Sequence, residues 1–197
     1  MFPTTPILDN FNRADEGPPP SANWTDIGNG LEVISNQAAG SAVGDNISYW
    51  NPITFGPDSE VYVTIPVTDV VNGVIYLRFN TGSFNGYGLI FGASTSSLSV
   101  IRLDGGVPTP LGAAISQAIS NGDSVGLRVI GSTIKVYYKA AAGSWTFLDS
   151  RTDATYSAAG ALLLVVVDTT MRLDNFGGGT YEGHGLLLGQ QRNRSIY

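Results

Sequence analysis

From about residue 60 onward the chain repeats one pattern: a short run with an apolar residue at every second position, closed by a turn dipeptide. A period of two puts alternate side chains on opposite faces of an extended strand, and an α-helix does not have that period. In Glu60 to Val67, residues Val61, Val63, Ile65 and Val67 share one face, and Glu60, Tyr62 and Thr64 the other. Val74 to Phe79, Tyr87 to Phe91 and Leu98 to Leu103 follow, then Ser124 to Ile130 built around Val125, Leu127 and Val129. Thr133 to Lys139 sends Ile134, Val136 and Tyr138 inward and Lys135 and Lys139 outward. Leu162 to Val167 is apolar at every position, which predicts a central strand covered on both faces. The breaks are Asn72-Gly73, Asn85-Gly86, Asp104-Gly105-Gly106, Asn121-Gly122-Asp123 and Gly131-Ser132. These residues accept the positive φ of tight hairpins. Only Ala113 to Ser120 suggests a helix, of about one turn. The spacing predicts roughly twelve short strands in an all-β, antiparallel two-sheet sandwich.

The ends add a constraint. Leu8-Asp9-Asn10-Phe11 recurs as Leu173-Asp174-Asn175-Phe176. Equal segments at both ends fit two neighbouring strands with equivalent roles, with Phe11 and Phe176 both in the core. Residues 1–176 then form the sandwich, and 177–197 a Gly-rich linker, Gly177-Gly178-Gly179, with a short extended tail. Leu186, Leu187 and Leu188 cannot all face one side of a strand. With Arg192, Arg194 and Tyr197 they read as a docking arm for a protein partner or a second copy.

At 197 residues, 43% apolar and 13% charged, the chain can bury a large core. A net charge of −6 with scattered cations argues against nucleic acid. There is no cysteine, so disulfides and thiolate chemistry are excluded. Met1-Phe2-Pro3-Thr4 lacks the basic and apolar regions of a signal peptide. The strongest apolar run, Ala158 to Val167, is too short to span a bilayer, so no membrane partner is expected.

Asp9-Asn10-Phe11-Asn12-Arg13-Ala14-Asp15 and Asn23-Trp24 open the chain, and Arg172-Leu173-Asp174-Asn175-Phe176 comes near its close. Between them lie Leu77-Arg78, Asn85-Gly86-Tyr87 and a strand from Gly122-Asp123 to Arg128. In order and spacing this resembles the laminin-G-like, concanavalin A-like jelly-roll modules of bacteria and phages, over about residues 7 to 178. The sequence departs from the opening pattern at Glu16 and Pro18-Pro19-Pro20. The resemblance implies a jelly roll. It does not imply one function, because lectins, glucanases and structural modules share that fold. It also allows a structural calcium, for which Asp9 and Asp174 are the candidate ligands if their strands pair. No other cofactor is called for.

Catalysis is not expected. Glucanases resembling this architecture carry a Glu-x-Asp-x-x-Glu strand, and retention needs two carboxylates about 5–5.5 Å apart. The glutamates here are Glu16, Glu32, Glu60 and Glu182, and none has an acidic neighbour two residues away on the same strand face; the pair that comes close, Asp58 and Glu60, lies at a strand entry after Gly56-Pro57, where turn chemistry explains it. The one histidine, His184, sits between glycines, where a general base would not be held. For a glycan, Tyr49, Trp50, Tyr76, Tyr87 and Trp145 offer rings, and Arg78 could face the ligand beside Tyr76 and Tyr87. The main expectation is therefore a structural or assembly subunit that docks through its tail, most naturally on a phage particle as a decoration, head- or tail-associated protein. A lectin-like module recognising a surface glycan, working outside the cell, is the alternative.

Overall fold

The computed structural model describes residues 1–69, 72–92 and 96–183. In these residues there are sixteen strands: β1 (Ile7–Asp9), β2 (Trp24–Asp26), β3 (Leu31–Ile34), β4 (Gln37–Gly40), β5 (Asp45–Trp50), β6 (Ser59–Val67), β7 (Gly73–Asn80), β8 (Asn85–Phe91), β9 (Ser97–Asp104), β10 (Val107–Pro110), β11 (Ile115–Ser116), β12 (Asp123–Ile130), β13 (Thr133–Lys139), β14 (Thr146–Thr152), β15 (Ala161–Val167) and β16 (Arg172–Thr180). None of the described residues is helical. One sheet runs β14-β13-β12-β6-β16-β4-β3, with β1 also on β16. The other runs β10-β9-β8-β7-β15-β5-β2, with β11 also on β9. The two sheets make the expected antiparallel sandwich.

The alternation read from sequence sets the core. Val61, Val63 and Ile65 of β6 and Val125, Leu127 and Val129 of β12 meet Ile75 and Leu77 of β7 and Leu162, Leu164 and Val166 of β15, all buried in one cluster. Each such side chain contributes about 1.5–3 kcal/mol relative to exposure. β15 lies between β7 and β5, central in its sheet as expected. Its other residues, Leu163 and Val165, join a second cluster with Val74, Tyr76 and Ile101 on the outer face. Gly88 is required there: a Cβ would lie 2.6 Å from the Tyr76 ring, which rests across β8.

The repeated tetrapeptide pairs as its symmetry suggests. Ile7 faces Gly177 and Asp9 faces Phe176 across β1 and β16, and Phe11 and Phe176 are fully buried. Two expectations are corrected. Ala113 to Ser120 makes no helical turn: Ile115 and Ser116 pair with Leu98 and Ser97, because Leu111 N–H bonds Val100 O and draws the segment along β9. Gly177-Gly178-Gly179 is not a linker: the three residues pair with Tyr62, Val61 and Glu60 of β6. The physical reason is close approach, since a Cβ on Gly177 would lie 2.1 Å from the Tyr62 ring. The sandwich therefore continues to Thr180. Leu186, Leu187, Leu188, Arg192, Arg194, Tyr197 and His184 lie outside the described residues.

Residues 1–6 cross the outer face of the first sheet. Glu60 points outward from β6, yet it is completely buried. Its Oε1 accepts the N–H and hydroxyl of both Thr4 and Thr5. Its Oε2 accepts Arg128 Nε at 2.7 Å, and Arg128 Nη2 also bonds Met1 O at 2.9 Å. Phe2 stacks on Tyr137 at 4.0 Å, and the Arg128 guanidinium lies 4.4 Å from the Tyr181 ring centroid.

Candidate ligand-binding cleft

Where β1 and β16 meet β2 and β5, one buried carboxylate organises the end of the sandwich. Asp9 Oδ1 accepts Arg13 Nη1 at 2.7 Å and the Phe11 N–H at 2.8 Å. Its Oδ2 accepts Arg13 Nη2 at 2.9 Å and the Trp24 indole N–H at 2.8 Å. A bidentate guanidinium pair of this kind is both strong and directional. Burial pushes the Asp9 carboxyl up, but the bonds from Arg13, Trp24 and Phe11 outweigh it and hold the group below its ordinary value. Trp24 in turn packs edge-on against Trp50, with ring centroids 5.6 Å apart, and against Phe176 at 5.0 Å.

Over this base opens a cleft of about 510 Å³, lined by Ile7, Leu8, Asp9, Asn10, Arg13, Ser21, Asn23, Trp50 and Asn175. Asn10 and Asn175 hold equivalent places in the two tetrapeptides, so strand pairing brings both to one site. The side-chain amides of Asn23 and Asn175 make no hydrogen bond with the described residues, and Asn10 uses only its oxygen, toward Asn12 N–H. Amide donors and acceptors left free around an indole edge suit a polyhydroxylated ligand, in a cleft of ordinary ligand-site size.

A second cleft of about 360 Å³ adjoins it, lined by Tyr49, Trp50, Asn51, Ile53, Thr54, Phe79, Asn80, Thr81, Ala159, Gly160 and Ala161. Trp50 belongs to both. The first cleft has one carboxylate, Asp9, and the second has none. Glycosidase-type chemistry needs two.

The sequence candidates are scattered. Trp50 lines the clefts with a narrow strip, being 8% exposed. Tyr76 lies over Gly88 on the outer face of the second sheet, beside a small apolar cleft of about 170 Å³. Tyr87 is fully buried, and its hydroxyl donates to Asp153 Oδ1 at 2.7 Å. Arg78 sits at a register shift with φ 50°, which turns it off the strand face. There its guanidinium ties three loops together through Pro57 O, Tyr156 O and Gly131 O. The site residues that residue-type reasoning missed are Asn10, Arg13, Ser21, Asn23 and Asn175. Four of these, Asn10, Arg13, Asn23 and Asn175, lie inside motifs already visible in the chain.

Pairing does bring Asp9 and Asp174 together, but the pair does not fit a hard cation. All four acceptor positions of Asp9 carry protein donors, and a calcium there would have to displace Arg13. No group of three His, Cys, Asp or Glu residues able to hold a metal occurs among the described residues. Burial raises the Asp174 carboxyl, and so does the charge of Asp9, against the bond from Asn175 N–H. A raised folded pKa means that ionisation opposes folding: stability is full below the unfolded pKa and declines as pH rises through the folded one. Asp174→Asn is therefore expected to raise the melting temperature slightly at pH 7, with the gain vanishing as the pH falls below about 4. Melting curves from pH 3 to 8, with calcium and with chelator, check this. A calcium-dependent loss in the variant would restore the metal reading.

No protein-family model matches the chain, and no curated protein sequence does. Among solved structures, carbohydrate binding module CBM66 from Bacillus subtilis superposes with a TM-score of 0.67 at 17% identity, covering 80% of this chain and 95% of that one. The sandwich has the concanavalin A-like lectin fold. The exoplasmic/lumenal domain of VIP36, in its Ca2+/Man3GlcNAc-bound form, superposes at 0.65 with 10% identity, covering 82% and 84%. The GH43 protein BlXynB from Bacillus licheniformis superposes at 0.59 with 12% identity, where the match covers 88% of this chain and 39% of that one. Identities this low establish the fold and nothing finer.

Proposed function

We propose that this chain is a non-catalytic carbohydrate-binding module that takes a neutral glycan in the cleft between Trp50 and Asn175. The observation that carries this reading is the set of free amides, Asn10, Asn23 and Asn175, placed around an indole and braced from below by the Asp9–Arg13 pair. Similar folds in a carbohydrate-binding module and in the VIP36 exoplasmic/lumenal domain in its Ca2+/Man3GlcNAc-bound form support it. The clefts supply no second carboxylate, which favours binding over hydrolysis. The assembly reading rests on the tail, 177–197, whose docking residues Leu186, Leu187, Leu188, Arg192, Arg194 and Tyr197 lie outside the described residues, and on a phage resemblance that the structural likenesses leave unsupported. The glycan reading therefore takes precedence.

An array of neutral glycans, followed by titration calorimetry on the best binder, tests it. Asn175→Ala removes a hydrogen-bonding group without touching the core. A typical net hydrogen bond is worth about 0.5–1.5 kcal/mol, so roughly a two- to tenfold loss of affinity is expected, with a small fall in melting temperature because Asn175 holds φ 49°, which Ala adopts less readily. An unchanged affinity would remove this cleft from consideration. Hydrolysis of the bound glycan would overturn the non-catalytic assignment.

A further inference from the structure

We infer that the two clefts flanking Trp50 are halves of one extended site, so that the ligand is a neutral oligosaccharide of at least two units and not a single sugar. The inference rests on the glycan reading above and adds the length and charge of the ligand.

Three observations carry it. First, Trp50 lines both clefts, so the two meet at one residue. Trp50 packs edge-on against Trp24, whose indole N–H donates to Asp9, so this shared residue is braced from behind. Second, the two walls are tied together. Asn51 N–H donates to Asn23 O at 2.9 Å, and its amide nitrogen bonds Ala22 O at 3.1 Å and Thr25 Oγ1 at 3.0 Å. The loop bounding the first cleft is therefore held to the strand end bounding the second, and the two keep their spacing. Third, the second cleft has the chemistry of a further sugar subsite. No charged residue lines it. The Tyr49 hydroxyl makes no hydrogen bond with the described residues, and Asn80 engages only its oxygen, toward Gly82 and Ser83 N–H, which leaves its amide hydrogens free. Its floor is formed by Ala159, Gly160 and Ala161, which take little room; Gly160 is held by a reciprocal pair of backbone bonds to Phe55 at 3.0 Å each. In the first cleft the only charges, Asp9 and Arg13, neutralise one another. An anionic sugar would find no unpaired cation in either half.

The test uses the full chain and the one- to six-unit oligomers of whichever neutral polymer an array selects, followed by calorimetry. Affinity is expected to rise at least tenfold between one unit and a short oligomer and then to level off. Tyr49→Phe and Asn80→Ala should each erase several-fold of that gain while leaving the affinity for a single unit unchanged. Asn175→Ala should weaken both. Tyr49→Phe keeps the ring and its packing, so a folding defect does not confuse the result. Affinity independent of length, or full oligomer affinity in both second-cleft variants, would overturn the extended site and leave the first cleft intact. Failure of every neutral glycan to bind would overturn the glycan reading and this inference with it.

Discussion

Arg128→Met is expected to cost about 3–5 kcal/mol of stability, because it strands a carboxylate that no solvent reaches. Glu60 is completely buried and Arg128 is 6% exposed, so neither charge is screened as a surface pair would be. For a chain of this length each kcal/mol shifts the melting temperature by roughly 2–4 °C, so a fall on the order of 10 °C should appear in a thermal scan. Pairing it with Glu60→Leu should recover part of the loss, since apolar replacement of a whole buried pair is often close to neutral. The pH dependence gives a second reading. In the native protein, burial pushes Glu60 up, but the donors Thr4, Arg128 and Thr5 together hold it below its ordinary value. Its contribution is therefore full above the unfolded glutamate pKa, about 4.3, and is lost as pH falls through the lower folded value. Without Arg128 the same burial favours the neutral acid. The deficit of Arg128→Met should then be largest near pH 7 and shrink toward pH 4. A deficit that does not change with pH would mean that lost packing against Phe2, Tyr137 and Tyr181 dominates instead.

Trp24→Ala should be at least as damaging, at about 3–5 kcal/mol. The indole is 2% exposed and packs against Phe11, Trp50 and Phe176, so its removal leaves a cavity among three rings. It also takes a donor from Asp9 Oδ2. Trp24→Phe separates the two effects: it restores much of the ring volume but not the N–H. We expect an intermediate loss of stability and, in calorimetry, a several-fold loss of glycan affinity with the binding cleft's own residues unaltered. Trp24 would then act as a positioning residue, through Trp50. Unchanged affinity in Trp24→Phe would show that the clefts do not depend on this support.

Much of the sandwich is legible in the chain because alternation is a local property. β6, β7, β8, β9, β12 and β13 fall where period-two runs predict them, and β15 where the chain is apolar at every position. The pairing of β1 with β16 is legible for a different reason, the repeated tetrapeptide. What escapes the sequence is contact between distant segments. Glu60 reads as an exposed strand residue until Thr4 and Thr5 are seen to cover it. The glycine run 177–179 reads as flexible until the ring of Tyr62 is placed over it. Residue type points to aromatic rings and Arg78 for a glycan site, yet Tyr87 belongs to the core and Arg78 to loop bracing. The amides that line the cleft are ordinary in sequence, and only the pairing of strands far apart in the chain gathers Asn10, Asn23 and Asn175.

The position of β16, between β6 and β4, governs how this domain can be made. Until residue 180 has left the ribosome, the first sheet exists as two separate pieces, each with a bare edge of unpaired N–H and C=O groups where the other should be. Such edges invite pairing with other chains, and the missing contacts have large sequence separation, which slows folding. Synthesis therefore passes through a stage in which the second sheet can assemble from β5, β7, β8, β9 and β15 while the first waits for its keystone. Chaperone dependence should be concentrated at that stage, and a nascent chain halted before β16 should be captured by holdases or proteases. One released after it should close both pieces, bury Phe176 and complete the cleft beside Trp50 in a single step.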